Sequence, residues 1–332
     1  MSSSLSRYIT WLVLPLLVIL GVLAHCCSGL YGISLDQLLS GDITEQQILI
    51  LREFRFPKII VAILGGSAIS IAGLLMQSYF RNPLAGPFVL GISSGASLGV
   101  AIFLMGSSLI PWLVHLGKLG LVGSAMLGSA FVLSIVMASA KKISSSSKLL
   151  VIGLMWASLT SSIVGVLEFF AGANEVKFFL IWSMGSLLNV SNADIMVLAP
   201  SVLLGLAVAV IISKKLDVLL LGKDYALTLG INYKLLSKTV LLITCLLAGV
   251  TTAYIGPLAF VGLAIPHFCR NLLKTNLHRQ LIINVILMGA AFLLWCQWLS
   301  EYLFSGVTLP INIITSIIGA PVVIRILLKR SN

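Results

Sequence analysis

The chain has 332 residues, of which 59% are hydrophobic and only 9% charged, with a mean hydropathy of +1.11. So much apolar surface exceeds what a soluble core can hide, which excludes a water-soluble globular domain and makes the bilayer the solvent. The formal charge of +11 does not point to nucleic acid either, because the Lys and Arg residues are scattered over loops and not gathered on one face.

A charged side chain at mid-bilayer costs roughly 2.5–3.5 kcal/mol on insertion scales, so charges should fall between apolar spans. Reading those gaps predicts about ten spans, near 9–29, 57–78, 91–112, 119–140, 149–170, 192–213, 238–256, 257–272, 281–300 and 309–328. The eighth is short for a complete crossing. The first apolar run, Trp11 to Leu30, is longer than a signal-peptide core and lacks a small-residue cleavage site, so it reads as a retained span. The expected fold class is an all-α membrane protein with one transmembrane domain over 1–332. Its longest polar stretches are an outer loop at about 31–56 and an inner loop at about 214–237.

With the first span running outward, the inner side collects Arg81, Lys141, Lys142, Lys214, Lys215 and Arg270, with only Asp217 and Asp224 against them. The outer side collects Glu45, Glu53, Glu168, Glu175, Asp194 and Glu301. This bias places both termini in the cytoplasm. Arg55 and Lys58 break it, since they are basic residues on the acidic outer side. The cysteines Cys26, Cys27, Cys245, Cys269 and Cys296 have neither metal-ligand nor disulfide-framework spacing and read as small buried apolar side chains.

Small residues cluster at Gly65-Gly66-Ser67-Ala68 with Ser70, Ala72 and Gly73, and again from Gly91 to Gly99. In lipid, little hydrophobic force acts between helices, so such patches serve close backbone packing; a solvated pathway lined by the same groups is compatible. Between them, Arg81-Asn82-Pro83-Leu84-Ala85-Gly86-Pro87 cannot continue a regular helix, because two prolines fall within five residues and Asn82 favours a turn. Irregular backbone at membrane depth survives only against protein or water, which makes this segment a pathway candidate; an ordinary tight inner turn is the alternative. Ser144 to Ser147 form a serine-rich inner turn. Ala72-Gly73 before Pro83-Leu84-Ala85, and Ala248-Gly249 before Pro257-Leu258-Ala259, suit either inverted four-span repeats or chance similarity.

No Walker A motif occurs: Gly222-Lys223 lacks the upstream glycine and the following Ser or Thr. Any ATP hydrolysis must come from a partner. The sequence offers no Ser-His-Asp spacing, no carboxylate pair at helical spacing and no His/Cys cluster, so neither catalysis nor a metal site is expected in the chain. Of its histidines, His267 reads as a structural hydrogen-bonding residue.

Several segments together resemble a known family. They are Arg55-Phe56-Pro57-Lys58, then Gly73 and Gln77, then Arg81 to Pro87 and Gly91-Ile92-Ser93-Ser94-Gly95-Ala96. Trp182-Ser183-Met184-Gly185-Ser186 and Leu221-Gly222-Lys223-Asp224-Tyr225-Ala226-Leu227-Thr228-Leu229-Gly230-Ile231-Asn232 follow, and then Gly256-Pro257-Leu258-Ala259-Phe260-Val261-Gly262-Leu263-Ala264-Ile265-Pro266-His267 and Ile318-Gly319-Ala320-Pro321. In this order they are similar to the vitamin B12, iron–siderophore and haem permease family of ABC importers, with a FecCD-like transmembrane subunit.

The resemblance implies a type II ABC importer permease in the bacterial inner membrane. It also implies a second copy of this chain or a similar permease, two cytoplasmic ATPase subunits that bind ATP and Mg, and an outer binding protein that delivers a metal chelate. This chain itself would bind no cofactor.

The resemblance further implies binding-protein docking at Arg55 and Lys58, with Glu301 standing where relatives have arginine, Gln297 where they have aspartate, and Thr308 where they have glutamate. It assigns ATPase coupling to the loop carrying Gly222, Lys223, Asp224, Ala226, Leu229 and Gly230. Leu227, Leu229 and Ile231 are expected to enter a partner groove framed by Lys223 and Lys234. The gate falls at Asn82, Pro83, Leu84, Ser146 and Ser147, and a structural motif at Gly256, Pro257, Pro266 and His267. The competing class is an ion-coupled secondary transporter of a small solute, which would carry ionisable groups deep in the membrane. Only Glu168 approaches such a place.

Overall fold

Charge-free apolar runs become helices here because lipid offers the backbone no hydrogen-bonding partner, so each N–H and C=O must be satisfied within its own segment. The structure, a computed structural model, describes residues 9–29, 32–88, 90–106, 115–142, 146–304 and 307–330, and every regular element among them is helical.

A π-helical turn, Ile9–Val13, leads into α1 (Leu14–Cys27). The outer loop then forms two short helices, α2 (Leu35–Ser40) and α3 (Glu45–Ile50). A second π turn, Leu51–Arg55, runs into α4 (Phe56–Phe80). There follow α5 (Ile92–Gly106), α6 (Gly117–Lys142), α7 (Ser146–Phe170), α8 (Ala173–Ser183), α9 (Asn192–Leu220) and α10 (Lys223–Thr228). The chain closes with α11 (Tyr233–Ile255), α12 (Val261–Leu273), α13 (His278–Tyr302) and α14 (Ile311–Arg330).

Ten of these elements occupy the ten expected spans. Among the described residues, seven helices are long and apolar enough to cross a membrane, while α5 and α14 are shorter apolar helices. The tenth, α12, has only 13 residues and carries Arg270, so the short eighth span is a partial helix of about 20 Å. The outer loop is more ordered than its polarity suggested. Ser34 and Thr44 each form a capping box with the glutamine three positions on, Gln37 and Gln47, and each box starts a short helix.

Helix α4 is the hub: every residue from Gly65 to Phe80 is buried, and α9, α11, α12 and α13 all pack on it. The small-residue patches make this possible. A Cβ on Gly66 would meet the Gly289 carbonyl oxygen at 2.1 Å, and one on Gly73 would meet that of Gly262 at 1.6 Å, so α4 lies backbone to backbone on α13 and α12. Gly95 with Gly128, and Gly99 with Ser124, do the same for α5 and α6. Helix α1 is held on α13 by polar contacts: the Leu17 carbonyl accepts from Trp295 Nε1 at 3.1 Å, and Ser28 Oγ accepts from Trp298 Nε1 at 2.9 Å. By contrast, α7 leaves most of its apolar surface uncovered by the rest of the chain.

Candidate functional site

Charges predicted to share a side do meet at one end of the bundle. At the Phe56 end of α4, Lys118 pairs with Asp194, and the Asn192 amide donates to Glu53 at 3.3 Å. At the Phe80 end lie Arg81, Asp217 and Arg270. With 25 residues, α4 separates these ends by roughly 37 Å, enough to span a hydrocarbon core of about 30 Å.

The outer residues named from sequence are engaged within the chain. Arg55 is buried at the C-terminal end of α1, where the carbonyls of His25 and Cys26 accept from its guanidinium. It thereby satisfies two carbonyls that the helix end leaves open. Lys58 places its ammonium 2.7 Å from both carboxylate oxygens of Glu301, with side chains 13% and 11% exposed. Gln297 Nε2 donates to Glu301 at 2.6 Å and fixes that carboxylate. Glu301 thus neutralises Lys58, whereas a basic residue at 301 would face it. Thr308 is exposed. Arg52, at the same end, faces outward, with 80% of its side chain exposed.

Between the ends, two irregular stretches run into the bundle. Helix α11 stops at Ile255, and residues 256–260 are non-helical. Gly256 holds φ +89, and a Cβ there would strike the Trp182 carbonyl oxygen at 2.4 Å, so both conformation and space require glycine. Pro257 follows, half-buried. Asn312 pins the stretch, accepting from the Ala259 N–H at 3.0 Å, while the Ile255 carbonyl accepts from Ser186 N at 2.8 Å.

Helix α12 then begins beside Ile69 and Gly73, about two turns short of the end of α4. Pro266 lies inside α12 and has no N–H for the Gly262 carbonyl four residues earlier, and that carbonyl is the one abutting Gly73. Asn312 carried no sequence signal; one amide in an apolar helix becomes informative only when a broken backbone is found beside it.

At the other end, α4 stops with Arg81 in the left-handed region at φ +49, and Asn82 N donates to the Gln77 carbonyl at 3.1 Å. A left-handed conformation at a non-glycine costs about 1 kcal/mol. The Arg81 guanidinium donates to the Leu219 carbonyl at 2.6 Å, which ties this turn to the end of α9. Asn82 Oδ1 accepts from Leu84 N at 2.9 Å, an Asx turn that aims Leu84 outward, and Pro83 is half-buried. Residues 143–145 lie outside the described residues. Ser146 and Ser147 open α7, but their side chains also lie outside the description.

The inner loop follows at once. Gly222 adopts φ +135, and α10 begins at Lys223, whose ammonium sits 4.9 Å above the Tyr233 ring; Tyr233 in turn stacks on Tyr79. Asp224 is exposed and Ala226 is fully buried. Gly230, at φ +77, ends α10, with Ile231 N donating to the Ala226 carbonyl at 3.0 Å. Leu227 and Leu229 face outward as expected, but Ile231 packs on the core. The Gly230 turn reverses the chain and carries Ile231 inward, so Leu221 and Tyr225 complete the exposed apolar surface instead.

The structure corrects one sequence reading outright. Ser78, His278 and Asp217 do form a Ser-His-Asp chain: His278 Nδ1 lies 2.7 Å from Asp217, and Nε2 lies 2.6 Å from Ser78 Oγ. Sequence spacing hid it, because the ends of three helices bring the residues together. The Ser78 hydroxyl also donates to the Leu74 carbonyl at 2.8 Å. Asp217 also accepts from His278 N at 2.7 Å and thereby caps α13. Arg270 joins the cluster through Gln77 and Ser78, and Gln77 Nε2 donates to the Leu263 carbonyl at 3.1 Å. These contacts clamp helices α4, α9, α12 and α13 together. His267 lines the adjacent cavity. Among the described residues, no group of three or more His, Cys, Asp or Glu side chains is placed to hold a metal ion.

Residues 16–329, nearly the whole chain, match the model of the FecCD transport family. The chain belongs to the FecCD transport family. This FecCD permease is 30% identical over 325 residues to the hemin transport system permease protein of Yersinia pestis, spanning 98% of this chain and 96% of that one. It is 32% identical over 330 residues to the vitamin B12 import system permease protein of Salmonella typhi, spanning 97% and 96%. A solved metal-chelate type ABC transporter in an inward-facing conformation superimposes with a TM-score of 0.86 at 27% identity, covering 96% of this chain and 98% of that one. The FecCD permease is thus a multi-pass inner-membrane transport subunit, and its broken α11–α12 connection and inner loop belong to a transporter fold.

Proposed function

We propose that this permease is the membrane half of a binding-protein-dependent ABC importer carrying an iron–siderophore, haem or cobalamin chelate inward. The observation that carries this reading is the inner loop. Leu221, Tyr225, Leu227 and Leu229 present an exposed apolar surface on and beside a short helix pinned to α4, suited to a groove on a soluble partner. Two ATPase subunits, holding ATP and Mg, would dock there, and the permease would contribute no catalysis of its own. The basic end then faces the cytoplasm, with both termini, as the positive-inside bias requires. A second copy or a similar permease would cover α7 and enclose the pathway, with Asn82, Pro83, Leu84, Ser146 and Ser147 at its inner gate.

The binding protein would dock at the outer end, where Arg55, Lys58 and Glu301 lie. Glu301 occupies Lys58 as a partner carboxylate would, so docking exchanges one pairing for another. In a pull-down series, Lys58→Glu is expected to weaken association with the binding protein by tenfold or more, whereas Glu301→Gln, which frees Lys58, leaves it equal or tighter. Mass spectrometry of the ligand on the captured binding protein should find a metal chelate. A small metal-free solute there, or weakening by Glu301→Gln alone, would count against the proposal.

A further inference from the structure

At the Phe80 end of α4, a cavity of about 990 Å³ opens between α4, α12, α13 and α14. Arg81, Arg270, Lys274 and Arg325 line it, and no carboxylate does. Among the described residues, none of these four cations has a carboxylate within salt-bridge distance. The chain cannot supply one. It has ten Asp and Glu residues, and at this end only Asp217 and Asp224 stand, the first held by His278 and the second exposed on α10. Arg270 is half-buried while Arg81, Lys274 and Arg325 are exposed, so the four concentrate positive potential around the recess and attract an anion from outside the chain.

We propose that this cavity binds the phosphate of an anionic phospholipid headgroup. Three features favour a lipid over an acidic protein surface. The floor is made by Gln77, Ser78 and His278, each at most 3% exposed, which a small anion reaches and a folded surface does not. Leu220, Phe268 and Val322 give the wall an apolar side for glycerol and acyl carbons. The recess also lies at helix ends, at headgroup level, and basic pockets between transmembrane helices on the cytoplasmic side suit such headgroups. Arg270 is held in place by Gln77 and Ser78, so its remaining N–H donors are fixed for bidentate contact with phosphate oxygens.

The test uses the purified full-length chain, with phosphatidylglycerol and phosphatidylcholine titrated separately in detergent and occupancy read by native mass spectrometry. Phosphatidylglycerol should bind in preference to phosphatidylcholine. The double variant Lys274→Gln/Arg325→Gln, on the exposed rim, should weaken it by roughly thirtyfold, since each basic side chain near an anionic headgroup is worth about fivefold. Arg270→Gln should weaken it as well, and the rim variant keeps the test valid if Arg270→Gln fails to fold. Equal binding of the two lipids, or an unchanged affinity in the rim variant, overturns the proposal. Inorganic phosphate displacing phosphatidylglycerol at equal concentration overturns the lipid as the source.

Discussion

Gly73→Val is expected to yield almost no folded permease. Even a single Cβ at position 73 would stand 1.6 Å from the Gly262 carbonyl oxygen and 2.4 Å from its carbon, and both sides of that contact are backbone. Overpacking of adaptable side chains typically costs about 1–3 kcal/mol, because they can move aside. Here α12 itself would have to leave α4. That movement would pull Arg270 from Gln77 and Ser78 and expose the irregular 256–260 stretch behind it. Against a total stability of about 5–15 kcal/mol, such a loss is decisive. Monodisperse yield after detergent extraction measures it, with Gly123→Val as the control, since nothing lies within 4 Å of a Cβ at position 123. Equal yields of the two variants would show that the α4–α12 contact is not needed.

Gly230→Pro is expected to abolish ATP-driven uptake while leaving yield intact. Proline fixes φ near −65°, whereas residue 230 holds +77°, and its N–H, which donates to the Leu227 carbonyl, would be lost. The turn that sends Ile231 inward and Leu227 and Leu229 outward cannot form, so the proposed ATPase contact is dismantled. The loop is exposed, which keeps the transmembrane bundle out of the damage. Gly230→Asn, which tolerates the left-handed region, should retain most activity. Uptake and ATPase association persisting in Gly230→Pro would remove this loop from coupling.

Much of the fold was legible because lipid enforces it. Charges mark where spans end, prolines with Asn82 mark a break, and paired small residues mark helix contacts. Gly66 and Gly73 fall where two backbones meet, as their patch suggested. The partial helix α12 was visible only as shortness, since the depth at which it starts depends on packing against Gly73 and Ile69.

The candidate site was less legible for the same reason. Lys58 and Glu301 are 243 residues apart, and their pairing follows from how α13 lies on α4. The Ser78–His278–Asp217 chain joins residues 61 and 200 apart, and no local pattern announces it. Composition gave Arg55 a charge without a direction, and only the end of α1 shows that its guanidinium turns inward. In the inner loop, simple alternation points Leu227, Leu229 and Ile231 all outward, whereas the Gly230 turn carries Ile231 inward.

The most direct test of the central claim is chelate uptake into proteoliposomes holding this permease with its ATPase subunits and binding protein. Uptake should require ATP on the basic side and binding protein on the other, and should be indifferent to a collapsed proton gradient. Uptake that continues without ATP and stops when the gradient is dissipated would contradict the account.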